Sequence, residues 1–125
     1  MINKIIDSNI LIDGIRKFTT AVSFLDKERD YGICVLTCYE LIEGVQSKRG
    51  LSLVMGLLDN LEKLYVNDKV QDTCLELMIK YRFDIGLKIA DALIAATAIT
   101  YALPLYTCNI KHFKGIKGLR VYKPY

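Results

Sequence analysis

A chain of 125 residues with 52% hydrophobic content has the size of one ordinary domain and can bury a real core without disulfide staples. Low-complexity tracts, internal repeats and linker-like stretches are absent, and Pro and Gly are too few to argue for disorder. The net charge of +3 is unevenly placed: Lys111, Lys114, Lys117, Arg120 and Lys123 all follow Asp91, and no acidic residue does. A basic tail on a mildly acidic body fits a polyanionic partner such as nucleic acid, and on charge alone it fits a solvated surface equally well.

The apolar run before Asp7 predicts a short buried strand, and Ile10 to Phe18 opens a helix. Residues 20 to 29 predict a second helix, and Gly32 breaks into the β-type run Ile33-Cys34-Val35-Leu36. Thr37 to Glu40 has the spacing of a capping box, placing Glu40 in the first turn of the next helix. Gly50 separates that helix from an amphipathic stretch ending at Leu64. Leu53, Val54, Leu57, Leu58 and Leu61 of that stretch are available to the core, a second subunit or another protein. A short strand at Leu64 to Val66 leads to a helix over 69–82, with Cys74, Leu75, Met78 and Ile79 at helical spacing. A small-residue helix runs from about Lys88 to Ala102, and strands follow at 105–107 and 119–122.

Residues 92 to 110 carry no charge, a length that suggests a membrane span. Pro104 interrupts it, Asp91 and Lys111 bound it, and scattered Thr and Asn residues dilute it. A buried helix followed by a buried strand accounts for it better. Met1 leads into the first strand without a secretory signal, so a cytoplasmic protein with reduced thiols is expected. Cys34/Cys38 and Cys108/His112 share a spacing that raises zinc as a rival. Cys34 in a β-type run, and a further cysteine with no place in the set, weigh against it.

Strands alternating with helices predict an α/β fold, a parallel sheet covered on both faces. Ligands in such folds sit beyond the carboxyl ends of the strands, where the strand order reverses. This directs attention to Asp7-Ser8-Asn9, to Thr37 through Glu40 and to Thr107 through Asn109. Each acid has a structural reading of its own: Asp7 as a helix cap, Glu40 as half of a capping box, Asp91 as a first-turn acid matched to the helix dipole. Brought to one crevice, three carboxylates repel one another unless a cation is present. Oxygen ligands suit Mg2+ or Mn2+, and such a cluster supports phosphodiester hydrolysis by activated water.

Four stretches in order carry a family likeness. They are Ile6-Asp7-Ser8-Asn9-Ile10-Leu11-Ile12, Glu40-Leu41-Ile42-Glu43-Gly44, Ala90-Asp91-Ala92-Leu93-Ile94-Ala95-Ala96-Thr97-Ala98, and Leu105 through Phe113 with Gly118-Leu119-Arg120-Val121 behind it. On these the chain resembles, nearly end to end, the PIN-domain nucleases and among them the VapC-like toxins of type II toxin–antitoxin pairs. The resemblance implies one three-layer α/β/α domain over residues 1–125, with a central parallel sheet. It implies Asp7, Glu40 and Asp91 as Mg2+ (or Mn2+) ligands, and endonucleolytic cleavage of RNA. It also implies a cognate antitoxin as inhibitor, a homodimer, and operator DNA bound only together with the antitoxin. Related roles are a ribonuclease of RNA processing, or a catalytically weak PIN fold acting as a binding or dimerisation module.

Relatives commonly place another acid in the stretch matching Asn109 to His112, often at the position of His112. Here Asn109 offers only a neutral oxygen, which leaves a second metal ion without a fourth carboxylate. His112 is either a phosphate contact or, the preferred reading, a loop residue on the way to a buried Phe113. Thr107 is placed to bond Asp7 or simply to sit buried in its strand. Ser8 and Asn9 either orient ligands or begin a helix. Lys111, Lys114 and Lys117 lie near the crevice as phosphate contacts.

Overall fold

Successive side chains of a strand face opposite ways, and in β1 (Lys4–Ile6) this puts Ile5 in one apolar cluster and Ile6 in another. In the computed structural model, which describes residues 1–125, the chain continues through α1 (Ser8–Ile15), α2 (Thr19–Lys27), β2 (Tyr31–Cys34) and α3 (Val35–Glu43). Then come α4 (Lys48–Asp59), β3 (Glu62–Leu64), α5 (Asp68–Tyr81), α6 (Ile89–Thr100), β4 (Leu105–Tyr106), a 3-10 turn at Ile110–His112, and β5 (Val121–Tyr122). One sheet holds all strands in the order β3-β2-β1-β4-β5, and every pairing is parallel. On one face Ile5 and Leu105 pack with Val70, Leu77 and Tyr81 of α5 and with the alanines of α6. On the other, Ile6 and Ile33 pack with Ile10, Leu11, Leu41, Val54 and Leu58 from α1, α3 and α4. The expected three-layer α/β/α arrangement is the one observed.

Topology positions the site. β1 has β2 on one side and β4 on the other, so the winding reverses between β1 and β4. Asp7 leaves the carboxyl end of β1, and Thr107 to Asn109 leave that of β4.

α6 is apolar on all sides because it is buried on nearly all sides. It stops at Thr100, where Ala102 adopts a left-handed φ of 56° and the Leu103 amide donates back to the Ala98 carbonyl at 3.0 Å. The uncharged stretch 92–110 is thus a helix and a strand, and no helix is long and apolar enough to cross a membrane.

Several boundaries depart from the sequence expectation. The expected capping box at Thr37 does not form. The α3 helix begins at Val35 directly behind β2, and Thr37 is fully buried with no partner for its hydroxyl. Glu40 is therefore one turn further into the helix than expected. Burial of Val35, Thr37, Cys38 and Leu41 sets this start, overriding local capping preference. Gly50 does not separate two segments: it lies in the first turn of α4, donating its amide to the Ser47 cap at 3.0 Å. The third strand is Glu62–Leu64 rather than 64–66. On α5 the inward residues are Val70, Leu77 and Tyr81, which leaves Leu75 and Ile79 exposed.

Candidate active site

Asp7 ends β1 and caps α1, so its structural and functional readings coexist. Oδ1 accepts the Ser8 amide at 2.8 Å, while Oδ2 accepts the Thr107 hydroxyl at 2.8 Å and the Asn9 side-chain amide at 3.2 Å. The carboxylate is buried, and these donors supply what water otherwise would. The expected bond from Thr107 to Asp7 is present, closing β4 onto β1. Asn9 does more than begin a helix. Its Nδ2 also reaches Thr107 Oγ1 at 3.3 Å, and its Oδ1 accepts the Cys108 amide at 3.2 Å. Thr107 Oγ1 in turn accepts the Asn109 amide at 3.0 Å.

Glu40, from the second turn of α3, enters the same crevice. Burial pushes its carboxyl above the ordinary range, Asp7 and then Asp91 push it further, and the nearby Ser8 side chain opposes them. Its Oε1 is buried and has no hydrogen-bond partner. Asp91, third in α6, is raised first by burial and also by Asp7, against the pull of His112 and Lys88. The dipole of α6 would lower a first-turn acid, yet the net shift is upward. Desolvation and the neighbouring acid therefore outweigh His112 and Lys88.

The crevice thus gathers Asp7, Glu40 and Asp91, each within electrostatic reach of another. They do not close into a ready-made cage: no three His, Cys, Asp or Glu side chains stand close enough to form a complete ligand set. Asn109 heads the 3-10 turn with no side-chain capping bond, exposed at the carboxyl end of β4. His112, read from sequence as a loop residue, instead brings Nδ1 to 3.5 Å from Asp91 Oδ2. Its neighbour Phe113 is buried and anchors the turn that presents it. That anchor was the available signal. Lys111, Lys114 and Lys117 are exposed along the following segment, and no ion pair or side-chain bond ties them to the acids.

Nothing favours the zinc rival. All four cysteines are free, and Cys34 and Cys38 are buried in opposite halves of the core with thiols raised chiefly by burial.

A second feature adjoins the acids. A groove of about 510 Å³ runs between α1, α3 and α4, walled by Ile12, Ile15, Leu41, Leu53 and Leu57, with Glu40 also on its lining.

A three-layer fold with three acids at its switch point defines a class, and comparison with known proteins identifies it. The PIN domain model matches residues 4–119, so the chain belongs to the PIN-domain family. Its affinity within that family is VapC-like. Ribonuclease VapC of Rickettsia bellii is 34% identical, over 94% of this chain and 92% of its own length. Among solved structures, a toxin-antitoxin complex from Klebsiella pneumoniae has a chain with a TM-score of 0.83 at 28% identity, covering 98% of both. VapBC2 from Rickettsia felis, bound to a DNA fragment from its promoter, gives 0.79 at 27% identity, again over 98% of both chains.

Proposed function

We propose that this protein is an endoribonuclease toxin of a toxin–antitoxin pair, hydrolysing RNA phosphodiester bonds with Mg2+ or Mn2+. The observation that carries the reading is the set of mutually destabilising carboxylates at the switch point, with Glu40 Oε1 buried and unpartnered. Likeness to ribonuclease VapC supports RNA as the substrate. The donors fit a hard cation: Asp7, Glu40 and Asp91 offer only oxygen, and Asn109 adds a neutral one. Mg2+ keeps several of its waters and takes one or two carboxylates, so a loosely gathered set is compatible with it. Such an ion supplies the Lewis acidity that makes water a nucleophile at neutral pH. The chain's own part is to hold Asp7 through Ser8, Asn9 and Thr107, and to place His112 beside Asp91 at the crevice rim, facing an incoming phosphate.

The apolar groove beside Glu40 is the expected seat of an inhibitory antitoxin segment, since solved relatives are toxin–antitoxin complexes. Operator DNA is a partner of the pair rather than of this chain alone. The missing fourth acid favours one alternative, a catalytically weak PIN fold used as a binding module.

The deciding experiment is cleavage of an RNA pool by purified protein with Mn2+ or with EDTA. Metal-dependent cleavage is expected, and Asp7→Asn lowers it about a hundredfold or more. Undiminished cleavage by Asp7→Asn places the chemistry elsewhere, and no cleavage by the parent selects the binding module. The product of a short reading frame adjacent to this gene is expected to abolish the activity. Failure of any such partner to do so removes the toxin assignment.

A further inference from the structure

We infer that Tyr125 is a positioning residue for the crevice, tying α1 to the β4 exit loop so that the Asp7 and Asn109 segments keep their spacing. The inference rests on the proposed function for its catalytic consequence, but not for its geometry. Tyr125 donates its hydroxyl to Asp13 Oδ2 at 2.8 Å. Asp13 lies four residues beyond Asn9 on α1, so the two share one side of that helix. Asn9 is the residue that bonds Asp7, Thr107 and the Cys108 amide together. Burial raises the Tyr125 phenol, with Cys108 and Asp13 adding to it, and Cys108 lies on the loop where Asn9 takes its amide. The Tyr125 phenol therefore braces the α1 wall of the crevice from behind, beside the Cys108 loop.

Its ring is held as well. Tyr125 stands edge-on to Phe24 at 6.2 Å, Phe24 packs on Tyr106 at 5.8 Å, and Tyr106 on Tyr122 at 5.4 Å. This aromatic row joins α2, β4 and β5. Tyr122 adds a backbone link, its carbonyl accepting the Thr107 amide at 3.0 Å. Thr107 is the strongest side-chain donor to Asp7, so the segment from Val121 to Tyr125 bears on the site through two independent routes. Neither Tyr125 nor Asp13 has a part in the chemistry proposed above.

The test uses the full chain with Tyr125→Phe, which keeps the ring, and Asp13→Ala, which removes the acceptor. In metal-free protein, amide exchange at Cys108 followed by NMR is expected to quicken about fivefold in either variant, the weight of one ordinary hydrogen bond. Amides of β2 and β3 are expected to keep their rates. For RNA cleavage, kcat is expected to fall about tenfold with KM little changed, and the double variant to be no worse than the singles. Unchanged exchange at Cys108 overturns the tether. So does a uniform quickening throughout the sheet, which would mark Tyr125 as general packing. Unchanged kcat beside a quickened Cys108 overturns the positioning role. If the parent cleaves no RNA, the proposed function falls, and the exchange measurement still decides the tether.

Discussion

Glu40 sits among Asp7 and Asp91 with one oxygen buried and unpartnered, and its carboxyl is raised by burial and by both neighbours. A carboxyl raised in the folded state contributes full stability below its unfolded value, about 4.3 for Glu, and loses that contribution as pH rises through the folded value. At neutral pH the metal-free protein therefore bears a cost that Glu40→Gln removes, since a neutral amide also offers donors to Asp7 and Asp91. Thermal or denaturant melts should show the variant more stable at pH 7 by about 0.5 kcal/mol, because solvent screens a carboxyl that is only part-buried. The gap should close as the pH falls below 4.3. A variant equally or less stable at pH 7 would show that Glu40 is satisfied by some contact other than a cation. Asp7 and Asp91 were legible in the sequence because each interrupts an apolar run, where a lone charge needs an explanation. His112 was not, because its approach to Asp91 joins the 3-10 turn to a helix about twenty residues earlier, and no local periodicity reports such a meeting.

At the scale of elements, existence and order were readable while starts were not. Hydrophobic period revealed the helices, but α3 begins where burial of Val35 and Cys38 demands it and not where Thr37 offers a cap. The α5 helix shows the opposite limit, because helical spacing identifies an apolar stripe without saying what covers it. Leu75, Ile79 and, just past the helix end, Phe83 are 63%, 76% and 96% exposed. If the chain forms the homodimer that the resemblance implies, this stripe is the face predicted to meet the second copy. Ile79→Lys should leave the fold intact within about 0.5 kcal/mol, as surface changes do. A lysine facing its own copy should weaken association by about a hundredfold or more. Light scattering on the eluting protein should report a dimer for the parent and the 14.2 kDa monomer for the variant. A parent that elutes as a monomer at micromolar concentration, or a variant that stays dimeric, removes this face as the interface.

Across the whole molecule, alternation of strands and helices pointed to the residues that follow each strand, while the reversal between β1 and β4 came only with the strand order. Charge was harder to interpret. The five basic residues after Asp91 make a one-signed segment, but Lys111, Lys114 and Lys117 are exposed and unpaired, which suits a solvated surface as well as an RNA path. The segment does begin at the crevice: Lys111 lies in the same 3-10 turn as His112, and the buried Phe113 and Ile116 hold the stretch between the lysines against the core. Charges fixed in this way lose less freedom on meeting phosphates than charges on a loose tail. Three contacts to single-stranded RNA would release enough counterions to steepen the dependence of log K on log salt by about 2. Replacing all three lysines with Ala should therefore weaken RNA binding at low salt and flatten the slope by that amount. The divalent-metal affinity of the acids should stay within a few-fold of the parent. Binding to RNA that keeps both its strength and its slope would return the tail to the role of solvated surface.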